Sequence, residues 1–493
     1  MSRGKTAIPL DLPQPIKLGA SKGDKQTAIY EALRDAILSR LLKSGEHLPA
    51  TRTLAERWQV SRGTVEAVFD RLRQEGYIIR RSGSGSVVSA VVPDTMLKVS
   101  SSTHIQEGRN KVGSSPVHNE PDIEPQLSYN VPFIARMPDP LLLDLKTWGA
   151  CLSRAIEKLQ PQQLVTGRTF GIPSLRRQIA EYLRVYRGIP CEVDDVIVTT
   201  GIRSATEMVA RILLCQGDVA AVEDPGYLWA RTILMDTGAT LKYIRVDNEG
   251  MNVDDLSRYK DVKLVYVTPA HQAPLGITMT ATRRLKILDW AEKNDAFIIE
   301  DDYDSEFNYN VSPLPAIKAI DRIDRVIYCG SFNKTIFPDM RIGFCIIPRN
   351  LKGKLNKYWE FSGRAAGVIE QTSVGKFIAE GYFYRHLRLA RQTYQTRRDL
   401  LISCLKNNAA NEIKITGENA GFHFILWLPT GVNEASFCNE ARRKGIYLQP
   451  LKEFCHRASY PPAVLVGYAA LTEVQIKYSG RILGCLIDAT HFR

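Results

Sequence analysis

The apolar positions in the first ninety residues keep a helical period and then change to an alternating one. Ile29, Leu33, Ile37 and Leu41 recur four apart within residues 25–42, which makes one stripe of a helix. Leu48-Pro49 breaks the run, and Thr51 is placed to cap a second short helix with Leu54, Ala55 and Trp58 inside. Residues 59–62 form a turn. Ser61 is a good N-cap for a third helix with Val65, Val68, Phe69 and Leu72 on one face, and Gly76 stands where that helix should stop. Two short β runs, at Tyr77-Ile78-Ile79 and Val87-Val88, flank the tract from Arg80 to Ser86, a hairpin with a Gly/Ser tip.

From about residue 190 the pattern is different. Short apolar runs at 195–201, 219–227, 241–246, 264–271, 296–303, 325–334 and 341–348 alternate with helical stretches. Several runs are unbroken apolar strings, as strands buried on both faces require. Their polar ends fall on the C-terminal side, the edge where open α/β sheets hold ligands. Between the two patterns, residues 93–128 are rich in Ser, Gly and Pro with no visible period, which predicts a flexible tether. The organisation expected is therefore a small helical domain with a hairpin over 20–92, a linker over 93–128 and an α/β body over 129–493.

Charge sharpens this division. The chain has 493 residues and a net charge of +12. Residues 1–92 hold 15 Lys and Arg against 9 Asp and Glu, so half of the excess lies in under a fifth of the length. Three helices and a basic hairpin are the pattern of a winged helix-turn-helix, whose partner is double-stranded DNA. Arg62, Gly63 and Thr64 would stand at the start of a recognition helix, behind the cap Ser61. Arg52 would face a phosphate. Arg80, Arg81, Gly83 and Gly85 would form the wing. No run of about 18 apolar residues and no secretory leader are visible. The nine Cys are scattered, without CxxC or zinc spacing, which predicts reduced thiols in a cytoplasmic protein.

The strand ends of the body carry one coherent set of groups. Asp301 and Tyr303 end one run. Ser331, Asn333 and Lys334 end the next, with Arg341 seven residues on. Gly201 precedes a helix whose first amides, at Ile202 and Arg203, suit a phosphate. Tyr227 follows Glu223-Asp224-Pro225-Gly226. Pyridoxal 5′-phosphate needs all of these together: an amine for a Schiff base, a carboxylate for its ring nitrogen, a donor for its phenolic oxygen, an aromatic face and a phosphate cup. Lys334, Asp301, Tyr303, Tyr227, Ser331 and Arg341 supply them. Ser331-x-x-Lys334 also matches a serine acyl-transferase motif, but no downstream partner motif follows it.

These motifs carry a family resemblance. Leu48 to Ala55, Val60 to Val65 and Leu72-x3-Gly76-Tyr77 resemble the GntR-type winged helix. The body resembles fold-type I aminotransferases in Arg168 to Arg176, Val222 to Tyr227, Val267 to Gln272, Ile299 to Phe307, Ser331-x-x-Lys334 with Arg341, and His386 to Arg398. The joined pair resembles the MocR subfamily of GntR regulators. The resemblance implies a large seven-stranded sheet and a small C-terminal α+β lobe, pyridoxal phosphate on Lys334, His271 near the phenolic oxygen, and a head-to-tail homodimer. Trp229 and Leu465 stand where relatives that grip an amino-acid carboxylate place Arg. The expected function is a regulator that senses pyridoxal phosphate, or an amine or amino acid reacting with it. It would control genes of vitamin B6 or amino-acid metabolism. The rival reading is an active aminotransferase with an accessory DNA-binding domain.

Overall fold

A computed structural model of the chain describes residues 22–81, 85–89, 131–165, 170–309, 314–362, 366–410 and 412–491. The expected linker, the wing tip with Gly83, and Arg168 lie outside these residues. The chain divides into two units, Met1–His118 and Asn119–Arg493, each with its own core.

The first unit holds three helices, α1 (Lys22–Leu38), α2 (Thr51–Arg57) and α3 (Arg62–Gln74), then an antiparallel hairpin of β1 (Ile78–Arg81) and β2 (Gly85–Val88). Ile29, Leu33, Ile37, Leu54, Trp58, Val65, Val68, Leu72, Ile78 and Val88 share one core. Two expectations change. The first helix ends at Leu38, and Arg40 turns the chain through φ +61°. Leu41 is therefore 48% exposed, and Leu42, at 2%, enters the core instead. Thr51 is the first residue of α2 rather than its cap; Ala50 holds the cap position without a side-chain bond. The other end signals act as read. Ser61 Oγ accepts from the Thr64 N–H at 3.1 Å, and Gly76 takes φ +82° after the last turn of α3. His47 adds a bridge to Val87 on the wing, a pairing with no periodic signal in the sequence.

The second unit is built on a sheet in the order β3-β10-β9-β8-β7-β4-β5-β6. Its strands are β3 (Val196–Thr199), β4 (Val219–Asp224), β5 (Thr240–Asp247), β6 (Gly250–Met251), β7 (Val262–Val267), β8 (Phe297–Asp302), β9 (Val326–Ser331) and β10 (Gly343–Ile346). All seven expected strands form. The two-residue β6 is an addition that pairs back on β5. β10 runs antiparallel to both of its neighbours, while β4, β5, β7, β8 and β9 are mutually parallel. Period-two alternation along β7 feeds two cores. Leu264 and Tyr266 pack on one face with helix Ile202–Leu213; Val265 and Val267 pack on the other with helix Ala281–Lys293. Both faces are covered, which explains the unbroken apolar strings.

The C-terminal lobe is a four-stranded antiparallel sheet in the order β11-β12-β14-β13. It comprises β11 (Lys414–Thr416), β12 (His423–Trp427), β13 (Gln449–Pro450) and β14 (Ala463–Gly467), with helices Tyr382–Asn408, Glu434–Arg443 and Glu473–His491. Asp224, at the end of β4, accepts from the backbone N–H groups of His456, Arg457 and Ala458 at 2.7, 2.7 and 2.8 Å, and so ties this lobe to the large sheet. Among the described residues no helix is long and apolar enough to cross a membrane, and all nine cysteines are free.

Candidate cofactor site

The parallel strands bring their C-terminal ends to one edge, and the expected cofactor residues collect there. Asp301 is the next-to-last residue of β8 and is buried. Its Oδ2 accepts from the Tyr266 hydroxyl, while Oδ1 is buried with no hydrogen-bond partner. Burial pushes the carboxyl up to about 7, against the opposing Tyr266 bond. A buried acceptor left open is costly unless something fills it. The N–H of a protonated pyridine is such a group, so the donor set fits pyridoxal phosphate at this point.

Tyr303 follows β8, and its hydroxyl lies 3.3 Å from His271 Nδ1. The same ring nitrogen lies 2.8 Å from Asp304 Oδ2, with both side chains buried. Burial alone would depress His271, but the Asp304 carboxylate overrides it and raises the imidazole pKa. His271 comes from the segment after β7, so two strand ends converge on this pair.

Lys334 sits in the turn between β9 and β10. Its Nζ donates to the backbone carbonyl of Arg136, 198 residues earlier in the chain. Ser331 Oγ, at the end of β9, accepts from the Asn333 N–H at 3.1 Å. Gly201 takes φ +119° as the cap of helix Ile202–Leu213, so no side chain stands before the amides of Ile202 and Arg203. Gly343 packs on it: a Cβ at 343 would lie 2.7 Å from the Gly201 Cα. The Tyr227 hydroxyl accepts from Arg203 Nε at 3.3 Å, and its ring stacks with Tyr266 at 6.5 Å. The Arg203 guanidinium lies 3.9 Å over the Trp229 ring. Arg341 has φ +49° and an exposed side chain that pairs with Asp339 at 2.8 Å.

In the small unit, Arg52 and Arg62 are exposed and pair along their own helices with Glu56 at 3.2 Å and Glu66 at 2.9 Å. Gly63 opens on solvent, since a Cβ there would meet nothing nearer than Ser61 Oγ at 4.0 Å. Thr64 is turned inward: it is 3% exposed, and its hydroxyl lies 2.7 Å from Ser61 Oγ. Its place is in the cap of α3, not among the outward side chains. Arg80 and Arg81 stand in β1 opposite Ser86 and Gly85.

Sequence reasoning missed Tyr266, Asp304 and Arg136. Tyr266 was visible only as an apolar strand residue. Asp304 is the second aspartate of Asp302-Tyr303-Asp304, and only the fold shows that it turns back onto His271.

An α/β body of this topology, with a lysine, an aspartate and a tyrosine at its strand ends, defines a protein of the pyridoxal-phosphate-dependent aminotransferase class. Residues 144–480 match the model of class I and II aminotransferases, and residues 25–88 match the gntR family of bacterial regulatory proteins. The chain is 34% identical to the probable rhizopine catabolism regulatory protein MocR of Rhizobium meliloti, over 90% of each chain. It is 31% identical to the pyridoxine biosynthesis regulator PdxR of Corynebacterium glutamicum, over 81% of this chain and 82% of that one. The kynurenine aminotransferase of Pyrococcus horikoshii superposes with a TM-score of 0.67 at 27% identity, over 74% of this chain and 92% of that one. The chain thus belongs to the class I and II aminotransferase family through its body and, with its GntR winged helix, to the MocR subfamily of transcriptional regulators.

Proposed function

We propose that the protein is a homodimeric, head-to-tail regulator whose grip on operator DNA is set by pyridoxal phosphate at Lys334. The observation that carries this is the open Oδ1 of buried Asp301, on the same sheet edge as the Lys334 amine. When bound, the cofactor supplies an aldehyde for a primary amine and a ring nitrogen that draws electrons once protonated. Asp301 holds the proton on that nitrogen. Tyr303 and His271 face the phenolic oxygen, and Tyr227 covers the ring. The amides after Gly201, with Ser331 and Arg341, hold the phosphate. The Arg341–Asp339 pair is solvent-exposed and worth at most about 1 kcal/mol, so exchanging Asp339 for a phosphate meets little resistance.

On the DNA side, Arg62 and Gly63 open the recognition helix, and Ser61 with Thr64 fixes its first turn. Arg52 meets a phosphate, and the hairpin with Arg80, Arg81 and Gly85 is the wing. The likeness to PdxR supports control of vitamin B6 genes, with amino-acid metabolism as the wider field.

The test is a titration with pyridoxal phosphate, following visible absorbance and binding to duplexes that the protein selects from a random pool. A shift of roughly 5- to 150-fold in affinity, abolished in Lys334→Ala, is the expected result. Equal affinity with and without the cofactor sinks the reading. Sustained transamination at ~1–10³ s⁻¹ would make the body a working enzyme instead.

A further inference from the structure

Arg136 lies in the segment before the first helix of the body, and three observations single it out. Its φ is +60°, the left-handed region that glycine occupies most easily and that a long side chain takes only when its surroundings hold it there. Its backbone carbonyl accepts from Lys334 Nζ, which sets the root of its side chain beside that amine. That guanidinium lies 5.1 Å over the Phe454 ring, with Nη2 donating to the amide oxygen of Gln449 on β13 at 3.3 Å. It forms no ion pair with a carboxylate among the described residues; its polar partner is the neutral Gln449.

The charge is felt at the cofactor edge. It opposes the burial that lifts the Tyr303 hydroxyl, and it adds to the burial that depresses His423 to about 3. The two positions where carboxylate-gripping relatives carry Arg hold no cation here. Leu465 is fully buried in β14. Trp229 lies beneath the Arg203 guanidinium. The backbone of Arg457 is tied to Asp224, and its side chain lies toward Tyr243.

We infer that Arg136 is the specificity-determining residue for a second ligand of the loaded site: a short primary amine that carries a carboxylate. The amine end meets the Lys334 side, and the planar guanidinium takes the carboxylate, for which its paired N–H groups are shaped. The inference rests on the proposed seating of pyridoxal phosphate at Lys334 and extends it. The absent Arg at positions 229 and 465 then marks a grip moved to another segment, not one given up.

The experiment uses the full chain loaded with pyridoxal phosphate. It is titrated with the common amino acids and β-alanine, each against the matching amine without the carboxylate, with the visible band as readout. Loading is measured first and separately. Wild type should favour at least one carboxylate-bearing amine by tenfold or more over its counterpart. Arg136→Gly, which also suits the backbone, and Arg136→Ala should reduce that ratio to near one; Arg136→Lys should keep part of it. Loaded wild type with no such preference, or variants that keep it in full, overturns the inference and leaves the cofactor reading standing. Wild type that takes up no pyridoxal phosphate overturns both.

Discussion

Asp301 has one carboxylate oxygen held by a tyrosine and one left open, and this asymmetry makes its chemistry predictable. Replacing it with Asn keeps the size and removes the charge that a protonated pyridine needs. Asp301→Asn should weaken pyridoxal phosphate binding by about 1.5–3 kcal/mol, roughly ten- to a hundredfold, measured by absorbance titration. Burial also gives the cofactor-free protein a pH signature. The carboxyl stands at about 7 in the folded chain, against an ordinary value near 4 when unfolded. The folded state therefore binds the extra proton. Its contribution to stability is full below about pH 4 and is lost as pH rises through 7. Thermal unfolding across pH 5 to 8 should show wild type losing stability relative to Asp301→Asn. A flat difference would mean that the carboxyl is not buried in solution. Lys334, Asp301 and Tyr303 were legible because strand ends announce themselves where an apolar string meets polar residues. Arg136 was not, because it lies in a stretch without period and touches the site through its backbone.

The elements were legible where a period or a cap marks them, and less so where the chain bends. All seven main strands follow from apolar runs buried on both faces. The stop of α1 did not, because a four-residue stripe through Leu41 looks the same whether or not the helix continues. Turning at Arg40 exchanges the roles of two adjacent leucines. Leu42→Ala should cost about 2–5 kcal/mol in the winged-helix unit, and Leu41→Ala within about 0.5 kcal/mol of nothing. Equal effects, read by thermal unfolding of the full chain, would return the helix to its longer form. The α3 cap is worth less: Ser61→Ala should cost about 1 kcal/mol. The tie between the large sheet and the C-terminal lobe is worth more. Asp224→Ala leaves three backbone N–H groups without their carboxylate, so a destabilisation of about 3 kcal/mol or more is expected.

The molecule as a whole divides its charge as it divides its work. Half of the net +12 lies in residues 1–92, ahead of a body whose own cations include Lys334 and Arg341. Binding to DNA should therefore weaken steeply with salt. Arg52→Ala should lower the slope of log K against log salt by about 1 for the phosphate left without its arginine, while Arg62→Ala, at the start of the recognition helix, should cost about 1–3 kcal/mol and relax the sequence preference. An unchanged slope and an unchanged preference would place the DNA face elsewhere. Both arginines already hold a carboxylate one helical turn away, Glu56 and Glu66. On the proposed DNA face each glutamate would compete with the DNA for its arginine. A bound duplex would have to displace it, which a poorly fitting site would do less well than a matched operator. Neutralising the pair, as Glu56→Gln with Glu66→Gln, should make the protein a stronger but less discriminating binder, held on random DNA for longer between encounters with its target.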